Sequence, residues 1–95
     1  MKRDEALAAL KSQREILQTQ FGVTRLGIFG SVARDEANEL SDLDVVVEMA
    51  PDLFMMVHLK EHLQDTLQIP VDIVRYRHNM NSFLKQRIDR EAVYV

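Results

Sequence analysis

Two stretches decide how this chain is read: Leu26-Gly27-Ile28-Phe29-Gly30-Ser31, and Asp42-Leu43-Asp44 after an interval of ten residues. The first is an apolar run that stops at Gly-Ser. A polar segment follows it, and then two aspartates, one residue apart, open a second apolar run that continues through Val45-Val46-Val47. A Gly-Ser turn opening a helix can offer backbone N–H groups to an anion. Alternate residues of a strand point to the same side, so Asp42 and Asp44 converge. Converging carboxylates repel unless a cation lies between them, and a hard, oxygen-seeking Mg²⁺ suits that place.

Working outward, Val71-Asp72-Ile73-Val74 supplies a third carboxylate inside an apolar run. A charged residue within a buried strand needs a cation or a hydrogen-bonding partner, otherwise it turns to water at a sheet edge. Arg34 follows Ser31 by three residues. On a short helix it would point back to the turn and reach phosphate, or it would pair with Asp35, Glu36 or Asp42, since a guanidinium suits both kinds of anion.

The composition sets bounds. Ninety-five residues make one domain with one modest core. There is no cysteine, which excludes disulfides and Cys-ligated metal. No apolar run reaches the length of a membrane span and no signal peptide opens the chain, so the expected location is the cytoplasm, with no membrane partner. The net charge is −3 from 12 basic and 15 acidic residues. Asp42, Asp44 and Asp72 account for that excess, and the remainder is about neutral. A domain gripping nucleic acid unaided would carry a basic stripe, and none is obvious. A small molecule or a protein is the expected acceptor.

Periodicity gives the element order α-β-α-β-α-β-α-β. Asp4 to Gln20 reads as an amphipathic helix with Leu7, Leu10, Ile16 and Leu17 in its stripe, capped by Gly22. Val23 to Phe29 is a strand, Ser31 to about Glu36 a short helix, and Asp42 to Glu48 a strand. That strand is continuous and β-branched, hence central and buried on both faces. Asp52 is placed to cap a helix over Leu53 to Leu67, with Phe54, Val57, Leu63 and Leu67 near one face. Val71 to Val74 is a strand, Asn81 to about Arg90 a helix with Phe83, Leu84, Arg87 and Ile88, and Ala92 to Val95 a last short strand. Such alternation points to a sheet covered by helices.

Gly30-Ser31, ten residues, then Asp42-x-Asp44 resembles the signature of the polymerase-β-like nucleotidyltransferases. Ser31-Val32-Ala33-Arg34 resembles the form found in its minimal members, and Asp72 stands where that family places a third carboxylate. The closing Arg90-Glu91-Ala92-Val93-Tyr94-Val95 is similar to the final strand of the small prokaryotic members, so the resemblance spans nearly the whole chain, residues 1–95 as a single domain. It implies the nucleotidyltransferase fold, an α/β (α+β) architecture with a small mixed sheet of about four strands flanked by helices. It also implies two-metal nucleotidyl transfer. Two Mg²⁺ would be held by Asp42, Asp44 and Asp72, and ATP would be the substrate. Gly30, Ser31 and Arg34 would bind its phosphates, and Asp72 could accept the acceptor's proton. The small prokaryotic members resemble antitoxins paired with a helical HEPN-type ribonuclease toxin, and similarity to them implies transfer of AMP to a tyrosine hydroxyl of that partner.

Two other functions stay open: a module of the same fold that neutralises a toxin by contact alone, and a transferase acting on a small hydroxylated molecule. The base preference, the acceptor residue and the oligomeric state, homo- or hetero-, are not fixed by the sequence. His58 and His62 are one helical turn apart, but Glu61 is misplaced for His-Glu-x-x-His, so they read as helix-surface histidines. Met49, Met55, Met56 and Met80 read as core filler or adaptable contact surface. Ser31 has no acid–base partner at fixed spacing that would make it a nucleophile.

Overall fold

Val45, Val46 and Val47 are all fully buried, because the strand that carries them lies inside the sheet with helices on both of its faces. In the computed structural model, which describes residues 1–95, the elements run α1 (Arg3–Phe21), β1 (Arg25–Phe29), α2 (Gly30–Ala33), β2 (Leu43–Glu48), α3 (Leu53–Leu67), β3 (Val71–Arg75), α4 (Ser82–Glu91) and β4 (Val93–Tyr94). The sheet order is β3-β2-β1-β4. β1 pairs antiparallel with β2 and with β4, while β2 and β3 are parallel, joined through α3. The sheet is therefore mixed, with four strands and helices on both faces.

The strand pleat divides the core. Leu43, Val45 and Val47 of β2 face α1 and α3, packing with Ala6, Leu10, Leu17, Leu59 and Leu63. Val46 faces the other way and packs with Phe29 and with Ile88 of α4. α1 ends on Gly22, whose φ of +71° is open to glycine at little cost. α3 begins on Asp52, whose carboxylate accepts from the Met55 N–H at 3.1 Å. No helix is long and apolar enough to cross a membrane.

Two expectations need correction, the buried face of α3 and the end of α2; for α4 the sequence assigns no buried face. The buried face of α3 is Leu59 and Leu63, with Met56 and Leu67 at its margins. Phe54 is 80% exposed and Val57 55% exposed. Positions 56, 59, 63 and 67 keep the three- and four-residue spacing of one helical face, whereas 54 and 57 turn away from it. On α4 it is Ile88 that is buried, and Phe83 is 78% exposed. The short helix α2 stops at Ala33 rather than near Glu36, because Asp35 adopts a left-handed φ of +60°. Aspartate tolerates that conformation better than most residues.

The two faces of α3 give a direct contrast. Leu63→Ala is expected to cost about 2–5 kcal/mol, as for truncation of a buried leucine. Phe54→Ser is expected to change stability by no more than about 0.5 kcal/mol. Urea unfolding of both variants measures the difference.

Candidate active site

The pleat that buries Val46 also sets the direction of Asp44. Asp44 lies two residues before Val46 on β2 and so shares the α4 side of the sheet. There it meets the end of β1, where Phe29 is its cross-strand partner. In the parallel pairing with β3 its register partner is Asp72, and register partners face the same side. Asp72 stands on the edge strand and is exposed; Asp44 is half-buried. Asp42 lies just before β2 and is exposed, rather than forming the first residue of the strand.

Gly30 follows Phe29 directly and packs against Asp44. Its φ is +74°, a region that side chains rarely adopt, and a methyl group there would lie inside the contact radius of Asp44 Oδ2. Glycine is required twice over, by backbone conformation and by the nearness of the carboxylate. Ser31 is half-buried in the first turn of α2, beside this contact.

The Asp44 carboxyl is pushed above the usual aspartate range. Burial is the main cause, followed by the negative charges of Asp72 and Asp42, with Arg87 and then Arg34 opposing. Asp44 thus senses both of the other aspartates. No three acidic or histidine side chains are drawn together tightly enough to form a ready-made metal cage. An open set of repelling carboxylates still fits Mg²⁺, which keeps several waters and takes oxygen ligands from bound phosphates.

Arg34 has two carboxylate partners, Glu36 at 3.3 Å and Glu91 at 2.8 Å. Glu36 was among the alternatives read from the sequence; Glu91 was not. Glu91 Oε1 also accepts from the Gly30 N–H at 3.1 Å, so α4 is tied to the turn by a side chain 61 residues away. Arg87, one helical turn before Glu91, lies 5.8 Å from the Phe29 ring centroid. Local spacing could reveal neither residue, since both come to the site through tertiary packing of α4. His62 bonds to Gln13 at 2.9 Å and packs against Phe21, which accounts for it as a helix-surface residue. A separate groove of about 450 Å³ opens between the start of α3, β3 and α4; Met56, Ile73, Val74, Met80 and Leu84 line it, with Arg75 and Arg77.

Two consequences can be measured. Gly30→Ala is expected to cost about 1–2 kcal/mol from the left-handed backbone alone, and to displace the Asp44 carboxylate. Asp44→Asn is expected to raise the melting temperature near neutral pH without divalent metal. A folded-state pKa above the unfolded one means that the charged carboxylate destabilises the native state. That penalty develops as pH rises from the unfolded aspartate range through the raised native value. The gain of the variant over wild type should shrink on acidification, as thermal melts across pH would record.

Comparison with known proteins identifies the family. Residues 11–95 match the model of the polymerase beta nucleotidyltransferase family. A protein adenylyltransferase, MntA, of Thermococcus cleftensis is 36% identical over 94 residues, covering 97% of this chain and 94% of its own length. A solved structure described provisionally as a minimal nucleotidyltransferase superposes with a TM-score of 0.78 at 37% identity, covering 98% of this chain and 95% of the other. The fold is shared with the structure of a toxin–antitoxin with AMP-PNP (TM-score 0.71, 20% identity, 99% of this chain and 72% of the other). It is shared too with the structure of a tri-AMPylated Shewanella oneidensis HEPN toxin in complex with MNT antitoxin (TM-score 0.62, 20% identity, 90% and 70%). With a family match over most of its length, a fold shared with a minimal member, and a Gly-Ser turn seated against the middle one of three aspartates, the chain belongs to the polymerase beta nucleotidyltransferase family and is a nucleotidyltransferase of its minimal kind.

Proposed function

We propose that residues 1–95 act as a single minimal nucleotidyltransferase domain that transfers AMP from ATP to a tyrosine hydroxyl of a HEPN-type toxin, and thereby serves as its antitoxin. The observation that carries this reading is the register pairing of Asp44 with Asp72 beside Gly30, which sets two carboxylates next to a Gly-Ser turn on one face of the sheet. The relative named as a protein adenylyltransferase supports the reaction class. The shared fold of the complexes with AMP-PNP and with an AMPylated HEPN toxin supports ATP and a toxin partner.

In this reading Asp42, Asp44 and Asp72 would hold two Mg²⁺, which when bound would neutralise charge on the triphosphate and on the acceptor oxygen. The Ser31 hydroxyl and the backbone N–H groups of the turn beyond Gly30, whose own N–H is held by Glu91, bind the β- and γ-phosphates. Arg34 adds positive charge there while its carboxylate partners keep the turn in shape. The acceptor oxygen attacks the α-phosphorus, its proton passes to Asp72, the bond to the bridging oxygen breaks and pyrophosphate leaves. Positioning and charge complementarity supply most of the acceleration. Asp72 stands on the exposed edge strand, so an acceptor can approach from solvent on that side. Elsewhere the molecule exposes Leu53, Phe54 and Val57 at the start of α3 and Phe83 on α4. Leu53, Phe54 and Val57 lie one, three and four residues apart on one helix, and such neighbouring exposed apolar side chains suit contact with another protein.

The test is transfer of labelled AMP from Mg·ATP to the purified toxin. The double substitution Asp42→Asn and Asp44→Asn is expected to leave partner binding intact. It should lower transfer by about a hundredfold or more, the scale of losing transition-state charge stabilisation, and leave the ribonuclease active. A double variant that still silences the toxin, with no AMP found on it by mass spectrometry, would show that neutralisation is by contact alone.

A further inference from the structure

Four charged side chains gather where α4 meets the Gly30 turn, and their pairing is uneven. Arg34 is gripped by two carboxylates, Glu36 at 3.3 Å and Glu91 at 2.8 Å. Glu91 is only 12% exposed and has a second obligation, the Gly30 N–H at 3.1 Å. Arg87 has a single carboxylate contact, to Glu91 Oε2 at 3.9 Å, beyond hydrogen-bonding distance. Its guanidinium lies over Phe29 at 5.8 Å, a cation–π separation. Phe29 is both the neighbour of Gly30 and the cross-strand partner of Asp44. The side chain is 46% exposed, so its donors remain open to a ligand.

We propose that Arg87 is a further residue of this site that binds the β- and γ-phosphates of the nucleotide, from the side opposite Ser31 and the turn, and holds pyrophosphate as it leaves, while Glu91 and Arg34 chiefly fix the turn. The inference rests on the transferase reading above and adds a residue to it. Glu91 holds the turn from α4, and Arg87 extends from the same helix one turn earlier, over the residue that joins β1 to the turn. A guanidinium presents a planar fork of donors that matches phosphate oxygens. Arg34 has the same chemistry, but two carboxylates already engage it. Arg90 also stands 3.9 Å from Glu91, yet its side chain is 72% exposed, and the cation over the Phe29 ring is Arg87.

The experiment is calorimetric titration of the full chain with Mg·ATP, with Mg·pyrophosphate and with AMP. Arg87→Gln keeps a polar side chain at this position and removes the charge. It is expected to weaken ATP and pyrophosphate binding by about tenfold or more, the scale of a hydrogen bond to a charged group, with AMP affinity and melting temperature unchanged. Arg87→Lys should restore part of the affinity, as a point charge without the fork. Arg90→Ala should bind all three ligands as wild type does. Unchanged pyrophosphate and ATP affinity in Arg87→Gln would overturn the assignment, as would an equal loss of AMP affinity. A wild-type chain that binds none of the three ligands would overturn the transferase reading itself, and this assignment with it.

Discussion

The structure depends on the alternation of side chains along β2. Five consecutive residues, Leu43 to Val47, include four that are fully buried, and the pleat sends them to two separate cores. One side is closed by α1 and α3 and is apolar throughout. The other is closed by α4 only as far as Val46, and at the next position on that side the strand carries Asp44. A carboxylate thus sits at the rim of a hydrophobic layer, half-buried and beside a second carboxylate on β3. A shift of one residue in the pairing would send Asp44 into the α1–α3 core, where an unpaired charge is intolerable. The hydrophobic pattern that fixes the fold therefore also fixes where the acidic groups converge.

Opposed charges surround that point. On the strand side Asp72 and Asp42 repel Asp44. On the helix side Arg34, Arg87 and Arg90 share Glu91, while Glu36 takes part of Arg34. Between the two groups lies the Gly30 turn, held by the Glu91 carboxylate through its N–H and pressed against Asp44 at its Cα. Such an arrangement suits a ligand that brings cations to the acidic side and anions to the basic side, as a metal-bound triphosphate does.

Much of this was legible in the chain before any coordinates. The order of elements, the central place of Val45-Val46-Val47, the cap at Asp52 and the glycine stop at Gly22 follow from local chemistry, which the tertiary structure leaves in force. Phe54, Val57 and Phe83 were not legible in the same way. Large apolar residues on a helix count towards a buried stripe by composition, but these lie on faces that the single sheet cannot cover. The acidic residues could be read from their spacing along neighbouring strands. Glu91 and Arg87 could not, because their relation to Gly30 and Phe29 is made by the docking of α4 and leaves no trace in nearby sequence.

The bond from the Glu91 side chain to the Gly30 N–H bears on the order in which the molecule assembles. It joins residues 30 and 91, near the far end of the chain, and β4 then pairs back onto β1 through Ile28 and Val93. Contacts so distant in sequence pay their loop-closure entropy late, after β1, β2 and α3 have local partners to lean on. During synthesis, which delivers the N-terminal part first, a nascent chain can hold the aspartates in place before the turn beside them is pinned.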